Sequence, residues 1–304
     1  MAYLFYIFVV LLNFSFLQSK QTKEHKVHKN NSFMAVPFAR SMSLSPIRGN
    51  TIFPEDRALW TFFAKLYEKN QFDAMIEYDE PLIPLKLHFI WIGSPVPTEF
   101  HENFDRWKEL NPEFEFYLWT DAELKNFNLE NQRAFDAALN YGEKADIWRY
   151  EIIWRYGGVY IDTDVRCLRS IKPLHYRYEF YAGLSNTTRV EVNNALFGAA
   201  PHHPVLRVSI DLIAKKGKPR HIFSETLERT GPFHFTKCFL EIVQKNNICN
   251  KIVAFPVSFF YPLPNTYHGV QPDHILQKWI RPESFTVHFW ESRWMKPRGF
   301  VRRK

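Results

Sequence analysis

The sequence contains Gly157-Gly-Val-Tyr-Ile-Asp-Thr-Asp-Val165, in which a glycine pair, a short β-prone segment and two aspartates follow one another. The glycine pair ends a helical pattern over residues 144–156, as a left-handed C-terminal cap would. Val159–Ile161 is then a short β-prone segment that leads directly into Asp162 and Asp164. A helix, a glycine pair and a strand in this order are typical of an α/β sheet, whose ligands bind beyond the carboxyl ends of the strands.

The same alternation precedes the glycine pair. Residues 85–91 and 114–119 have the composition and punctuation of strands, and a helical pattern lies between them. Thr120-x-x-Glu123 is a capping box for another helix, and Pro204 and Pro232 each begin a later helical pattern. Strands separated by helices predict an α/β fold, in which a Rossmann-type, mainly parallel sheet is flanked by helices and carries further helical additions.

Asp162 and Asp164 are the first candidate ligands for a metal ion. Side chains at i and i+2 face the same side of a strand, so the two carboxylates converge if the extended geometry persists. A hard divalent cation such as Mg²⁺ or Mn²⁺ relieves their repulsion, and it favours a few carboxylates together with phosphate oxygens. A nucleotide diphosphate supplies such oxygens, whereas a solvated loop end is the alternative for an isolated Asp-x-Asp.

The helix before the glycine pair carries a second group of polar side chains. Asp146, Arg149 and Tyr150 stand at i, i+3 and i+4, and are therefore neighbours on one helix face. A carboxylate, a guanidinium and a phenol together can bind sugar hydroxyls. A structural salt bridge on the helix surface is the alternative.

These residues form a longer signature, Asp146-x-x-Arg149-Tyr150-x-x-x-x-x-Tyr156-Gly-Gly-x-Tyr160-x-Asp162-x-Asp164. It resembles that of the D-x-D glycosyltransferases, which include yeast initiating α-1,6-mannosyltransferase, inositol-phosphoceramide mannosyltransferases and the catalytic domains of clostridial glucosylating toxins. The resemblance covers residues from about 81 to 294. It includes residues 83–93, 111–112 and 118–119 upstream, and Asn194-Ala195, His203-Pro204 and Thr230-Gly-Pro232 downstream.

The resemblance implies a GT-A-like domain that moves a hexose, such as mannose or glucose, from a UDP- or GDP-sugar with retention of configuration. The acceptor would be a glycan, a lipid or a protein, and the cofactor Mn²⁺ or Mg²⁺. The implied catalytic residues are Asp162, Asp164 and Arg149. The implied nucleotide-sugar-binding residues are Trp91, Asp146, Arg149, Tyr150, Tyr160, Asp162, Asn194 and Trp294. Trp91 would flank the base, because an aromatic face at a strand end can stack on it, and a core tryptophan is the alternative.

The C-terminal part of the resemblance is less regular. Residues 286–294 depart from the family pattern at Phe289 and Arg293. We expect Asp164 to ligate the metal with His288, whose neutral imidazole can bind a cation, and we keep Ser292 as the second candidate. A histidine that packs in the core is an open alternative for His288.

The first 51 residues are expected to lie outside the catalytic domain. Residues 4–17 are an apolar run of the length of a signal-peptide core or short anchor. We therefore interpret 1–19 as a signal peptide or signal anchor, 20–51 as a basic stem or linker, and 52–304 as the GT-A-like glycosyltransferase domain. The expected location is membrane-associated or in the secretory pathway. This means the Golgi lumen in a eukaryote, and the membrane or the exterior in a bacterium.

The charge of the chain leaves the class of partner open. The formal net charge is +7, with much of the excess near the two ends. No nucleic-acid motif accompanies it, so nucleic acid is not a predicted partner. The three cysteines have no metal-ligand spacing and are expected to be ordinary thiols.

Two other functions fit parts of the sequence. A strand followed by Asp-x-Asp also begins the site of haloacid-dehalogenase-like phosphatases, where the first aspartate is a nucleophile. The chain lacks a convincing downstream Gly-Asp-x-x-x-Asp segment, and that reading leaves the Asp146 and Arg149 pair unexplained. A noncatalytic, membrane-tethered sugar-binding protein is the other alternative, and only turnover distinguishes it from an enzyme.

Overall fold

The structure is a computed structural model that describes residues 34–47, 53–217, 224–245 and 251–292. The α-helices of these residues are α1 (Phe38–Met42), α2 (Pro54–Lys69), α3 (His101–Leu110), α4 (Asp121–Leu124), α5 (Gln132–Ala137), α6 (Tyr141–Tyr156), α7 (Lys172–His175), α8 (Pro204–Ala214), α9 (Ser224–Arg229), α10 (Pro232–Lys245) and α11 (Asp273–Trp279). The strands are β1 (Lys86–Ile90), β2 (Glu115–Trp119), β3 (Gly158–Ile161), β4 (Val165–Cys167), β5 (Phe180–Leu184), β6 (Val192–Ala199), β7 (Ile252–Phe255) and β8 (Thr286–His288).

Six strands form the central sheet in the order β2-β1-β3-β6-β5-β7. Strand β6 runs antiparallel to both of its neighbours, and the other three pairings are parallel. Helices α6 and α10 pack on β6, and α2 packs on β7. The predicted mainly parallel sheet flanked by helices is therefore confirmed.

A second, two-stranded sheet brings the C-terminal segment to the aspartates. Strand β4 pairs antiparallel with β8, and the register places Val165 opposite His288. The pairing continues by one hydrogen bond beyond the strand ends, because the Phe289 amide donates to the Asp164 carbonyl at 3.1 Å. Residues that are 124 positions apart in the chain thus meet at the end of β3.

The ends of α6 follow local sequence signals. The Asn140 side chain caps its first turn by accepting from the Glu143 amide at 2.7 Å. Gly157 and Gly158 end it with φ values of 59° and 97°, in the left-handed region that side chains disfavour. A Cβ at Gly158 would also lie 2.7 Å from the Lys86 carbonyl oxygen, so the close approach of β3 to β1 requires glycine.

Residues 34–47 correct the prediction that residues 20–51 form a stem. Their apolar side chains are buried in the main core, and the Tyr67 hydroxyl donates to the Val36 carbonyl at 2.8 Å. The buried members are Met34, Val36, Phe38, Met42, Leu44 and Ile47. The physical reason is that apolar residues recur among the polar ones, and that Pro37 precedes helix α1 as its N-cap instead of marking a linker.

The predicted signal or anchor, residues 1–19, lies outside the described residues. Among the residues that are described, no helix combines the length and the apolar character needed to cross a bilayer. Cys167 and Cys238 are buried free thiols, and burial raises the pKa of both.

A buried carboxylate outside the candidate site makes stability depend on pH. Glu191 is 6% exposed, and burial raises its pKa to about 7 against the opposing effect of hydrogen bonds from Ser185 and Thr187. The folded state therefore keeps this proton up to about pH 7, whereas an unfolded glutamate releases it near its ordinary value of 4.5. Between these values the folded state binds more protons, so its stability falls as the pH rises.

We expect Glu191→Gln to remove this loss and to stabilise the protein at pH 8 by up to about 3 kcal/mol. Urea unfolding at a series of pH values measures it. Glu109→Gln, at an exposed position on α3, should leave the pH dependence unchanged. Parallel stability curves for the wild type and Glu191→Gln would contradict the assignment.

Candidate active site

The two aspartates lie at the carboxyl end of β3, where the chain turns away from the sheet. Strand β3 ends at Ile161, and the Asp162 amide still donates to the Ala195 carbonyl of β6 at 2.7 Å. The Val165 amide then donates to the Asp162 carbonyl at 3.0 Å and closes a turn. The extended geometry that we assumed does not persist to Asp164, so the turn, and not strand alternation, sets the direction of its side chain.

Asp162, Asp164 and His288 form a cluster that could hold a metal ion. One ligand atom from each residue lies within 4.8 Å of the other two. The His288 Nε2 is 3.2 Å from the Asp164 Oδ1, and the Glu291 amide donates to the Asp164 Oδ2 at 2.8 Å. The Asp162 side chain is 29% exposed, so the cluster opens to solvent on its side.

The charged groups of the cluster shift one another's pKa values. Burial acts to raise the pKa of Asp164, but the charge and hydrogen bond of His288 outweigh it and the net pKa is lowered. Burial acts to lower the pKa of His288, and its attraction to Asp164 outweighs this, so the net pKa is raised. Burial raises the pKa of Asp162, mainly against the opposing charge of Arg149. The site thus concentrates negative charge around one imidazole.

Arg149 connects this cluster to the buried side of helix α6. Its Nη1 lies 3.2 Å from the Asp162 Oδ1 and donates to the Asn194 carbonyl at 2.8 Å. Its Nη2 lies 3.1 Å from the Asp146 Oδ1. The guanidinium also stacks over the Tyr160 ring, with its central carbon 4.2 Å from the ring centroid. One arginine is therefore held between two carboxylates.

Asp146 is surrounded by donors and has little contact with solvent. Its Oδ1 accepts from the Asn194 side-chain amide at 2.8 Å, and its Oδ2 accepts from the Thr230 hydroxyl at 2.9 Å. Burial raises the pKa of Asp146 to about 6, although Arg149 and these hydrogen bonds act in the opposite direction. Sequence reasoning did not assign this role to Thr230, because the contact joins residues 84 positions apart.

The structure also places the other predicted residues. Tyr150 and Tyr160 are both buried. The Tyr150 hydroxyl donates to the Thr230 carbonyl at 2.6 Å, and the Tyr160 hydroxyl donates to the Asp162 Oδ1 at 2.7 Å. Trp91 follows β1 and is half-buried, with its indole N–H 3.1 Å from the Ser94 hydroxyl. The Ser292 hydroxyl donates to the Trp290 carbonyl at 3.4 Å. Trp294 lies outside the described residues.

Comparison with known proteins identifies the class of this site. The model of the family described as "Glycosyltransferase sugar-binding region containing DXD motif" matches residues 97–181, which include Asp146, Arg149, Asp162 and Asp164. Residues 97–181 of this chain therefore match a glycosyltransferase sugar-binding region. Asn194, Thr230 and His288 lie outside the matched segment, so residues beyond it complete the polar network and the cluster of this site.

Several curated glycosyltransferases are similar to about half of this chain. Inositol phosphoceramide mannosyltransferase 2 of Schizosaccharomyces pombe is 33% identical over 158 residues, which cover 50% of this chain and 45% of the relative. Lactosylceramide 4-alpha-galactosyltransferase of Rattus norvegicus is 24% identical over 187 residues, which cover 58% and 48%. The chain thus spans about half the length of these relatives.

Among solved structures, the PaToxG glycosyltransferase is similar to this chain with a TM-score of 0.44 and 15% identity. The match covers 62% of this chain and 79% of that chain.

Proposed function

We propose that this protein is a metal-dependent transferase that moves a hexose from a nucleotide-diphosphate sugar to a glycan or lipid acceptor. The observation that carries this proposal is the position of Arg149, whose guanidinium contacts Asp162 beside the cluster of Asp162, Asp164 and His288. The cluster suits a cation, and the guanidinium suits the oxygens of a sugar or diphosphate. A group for the diphosphate-bound cation and a group for the sugar or diphosphate oxygens therefore lie together at the carboxyl end of β3.

The donor set of the cluster fits a divalent ion, with Asp164 and His288 as the proposed ligands and Asp162 beside them. An imidazole nitrogen favours Mn²⁺ over Mg²⁺, because Mg²⁺ prefers oxygen ligands. A bound cation would stabilise the charge that develops on a departing diphosphate. Ser292 stays the second candidate ligand, since its hydroxyl is engaged with a carbonyl of its own segment.

Four buried residues of the site are proposed to act through Arg149 and Asp162. Asp146, Tyr150, Tyr160 and Asn194 make their hydrogen bonds within the protein, and thereby fix the positions of Arg149 and Asp162. Arg149 and Asp162 would then contact the donor sugar. Trp91, at the end of β1, is proposed to flank the nucleotide base.

The proposed acceptor follows from the relatives. Their names describe transfer of mannose or galactose to ceramide lipids, so a glycolipid or its headgroup is the acceptor that we propose to test first. Membrane association through the N-terminal segment, within the secretory pathway, belongs to the same proposal.

The test is a donor screen with the purified full chain. UDP- and GDP-linked mannose, glucose and galactose are incubated with Mn²⁺, Mg²⁺ or EDTA, and nucleoside diphosphate and inorganic phosphate are measured separately. We expect one donor to release nucleoside diphosphate with Mn²⁺ and none with EDTA, because the leaving group needs the cation. Addition of a ceramide glycolipid should then yield a lengthened lipid glycan.

Two other results would contradict the proposal. Release of inorganic phosphate without nucleoside diphosphate would indicate a phosphatase. Stabilisation by a nucleotide sugar without any turnover would indicate a sugar-binding protein. The same assay therefore separates the three functions.

A further inference from the structure

A cavity lies away from the aspartate cluster, between the end of α8 and helices α9 and α10. Its volume is about 480 Å³. Three lysines line it, Lys215, Lys216 and Lys237, together with the single carboxylate of Glu228. Three ammonium groups against one carboxylate leave a net charge of +2 around the cavity.

The Lys216 ammonium is built into the wall of this cavity. It donates to the carbonyls of Glu228 and Arg229 at 2.7 and 2.6 Å, and its third contact is the His234 Nδ1 at 3.1 Å. Burial lowers the pKa of His234 to about 3, so this imidazole is neutral. Its Nε2 lies 3.1 Å from the Ser209 carbonyl and must carry the hydrogen, which leaves Nδ1 as the acceptor for Lys216.

All three partners of the Lys216 ammonium are therefore neutral. Its hydrogen-bond donors are satisfied, but its charge is not, because no carboxylate of the described residues forms an ion pair with it. Burial lowers the pKa of Lys216 to about 8, as expected for an ammonium held without a counterion. The group nevertheless stays mostly charged at pH 7.

Lys215 and Lys237 offer ammonium N–H donors to a ligand, whereas those of Lys216 are already used within the protein. Both side chains are exposed, and neither forms an ion pair with a carboxylate of the described residues. Glu228 also makes no ion pair with the three lysines. The cavity thus combines one half-buried positive charge with two exposed ammonium groups that are available to a ligand.

We propose that this cavity binds a phosphate group. An ammonium binds phosphate as a point charge, and a phosphate monoester carries a charge of about −1.5 to −2 at pH 7, which matches the +2 of the cavity. Lys215 and Lys237 donate to the phosphate oxygens, and Lys216 contributes its charge from the wall. The phosphate comes from a lipid headgroup or from free phosphate, and this site is independent of the proposed sugar transfer.

The test measures phosphate binding by the full-length protein, by calorimetric titration with inorganic phosphate. Lys215→Ala combined with Lys237→Ala should weaken binding about tenfold or more, because both donors are removed. Glu228→Gln should strengthen binding, because it removes the only negative charge of the cavity. Lys65→Ala combined with Lys125→Ala removes the same charge at exposed positions elsewhere and should have little effect.

A second arm distinguishes the source of the phosphate. Flotation with phosphatidylcholine vesicles, with and without a phosphatidylinositol phosphate, compares the wild type with the same variants. A headgroup site predicts that the Lys215 and Lys237 variant loses only the binding that depends on the added lipid. The proposal would be overturned if the two double lysine variants lost phosphate binding equally. It would also be overturned if phosphate binding stayed unchanged both in the Lys215 and Lys237 double variant and in Glu228→Gln.

Discussion

Replacing Asp164 with alanine should abolish metal-dependent sugar transfer while leaving the protein folded. The side chain is 12% exposed and belongs to the cluster with Asp162 and His288, so the substitution removes the proposed metal ligand and little core volume. We expect the rate to fall by about a thousandfold or more, because stabilisation of the charged leaving group is lost. We also expect Mn²⁺ to raise the unfolding temperature of the wild type and to leave that of the variant unchanged.

The matched control for this experiment is Asp105→Asn. Asp105 is an exposed carboxylate of α3 that, among the described residues, forms an ion pair only with Lys108, so its loss should change neither transfer nor the effect of Mn²⁺. Circular dichroism checks that both variants are folded. A folded Asp164→Ala protein that transfers sugar at the wild-type rate would remove the proposed metal role of this residue.

The features of the fold and of the site that the sequence predicts correctly are those that depend on neighbouring residues. The end of α6 at Gly157 and the capping box at Thr120 and Glu123 both depend on neighbouring residues, and the structure confirms both. The parallel order of β1, β2 and β3 follows from the helices between them. Periodicity and punctuation are sufficient for such features, because their causes lie within a few residues.

The features that local sequence patterns do not predict depend on distant contacts. The family resemblance alone predicts His288 beside Asp164, because its position results from the pairing of β4 with β8 and no spacing rule relates the two segments. The bond of Thr230 to Asp146 likewise arises only when α6 and the start of α10 pack together. Residues 34–47 fall within the predicted stem because that prediction rests on the polar, basic character of the longer segment and on its interruption by Pro37, Pro46 and Gly49. Most side chains of residues 34–47 are apolar, and six of them are buried in the core.

Arg149 should be required both for stability and for transfer, and the two roles can be separated. Arg149→Met leaves Asp146 buried without its cationic partner, and the loss of one member of a buried ion pair costs about 3–5 kcal/mol. Arg149 acts to lower the pKa of Asp146, so in the variant this pKa rises above its present value of about 6. An unfolded aspartate releases its proton near 3.8, so the variant should lose stability as the pH rises from 4 towards 8.

The double variant Asp146→Asn, Arg149→Met separates these effects. No buried charge of the pair is left uncompensated, so most of the stability lost in the single variant should return. The part of the pH dependence that arises from Asp146 should vanish, whereas the part that arises from Glu191 should remain. Transfer should stay low in both proteins, since the guanidinium that contacts Asp162 is absent from each. Urea unfolding at pH 5 and pH 8, combined with donor turnover, measures both roles. Recovery of turnover along with stability would mean that Arg149 only supports the fold, and that the donor is held by other groups.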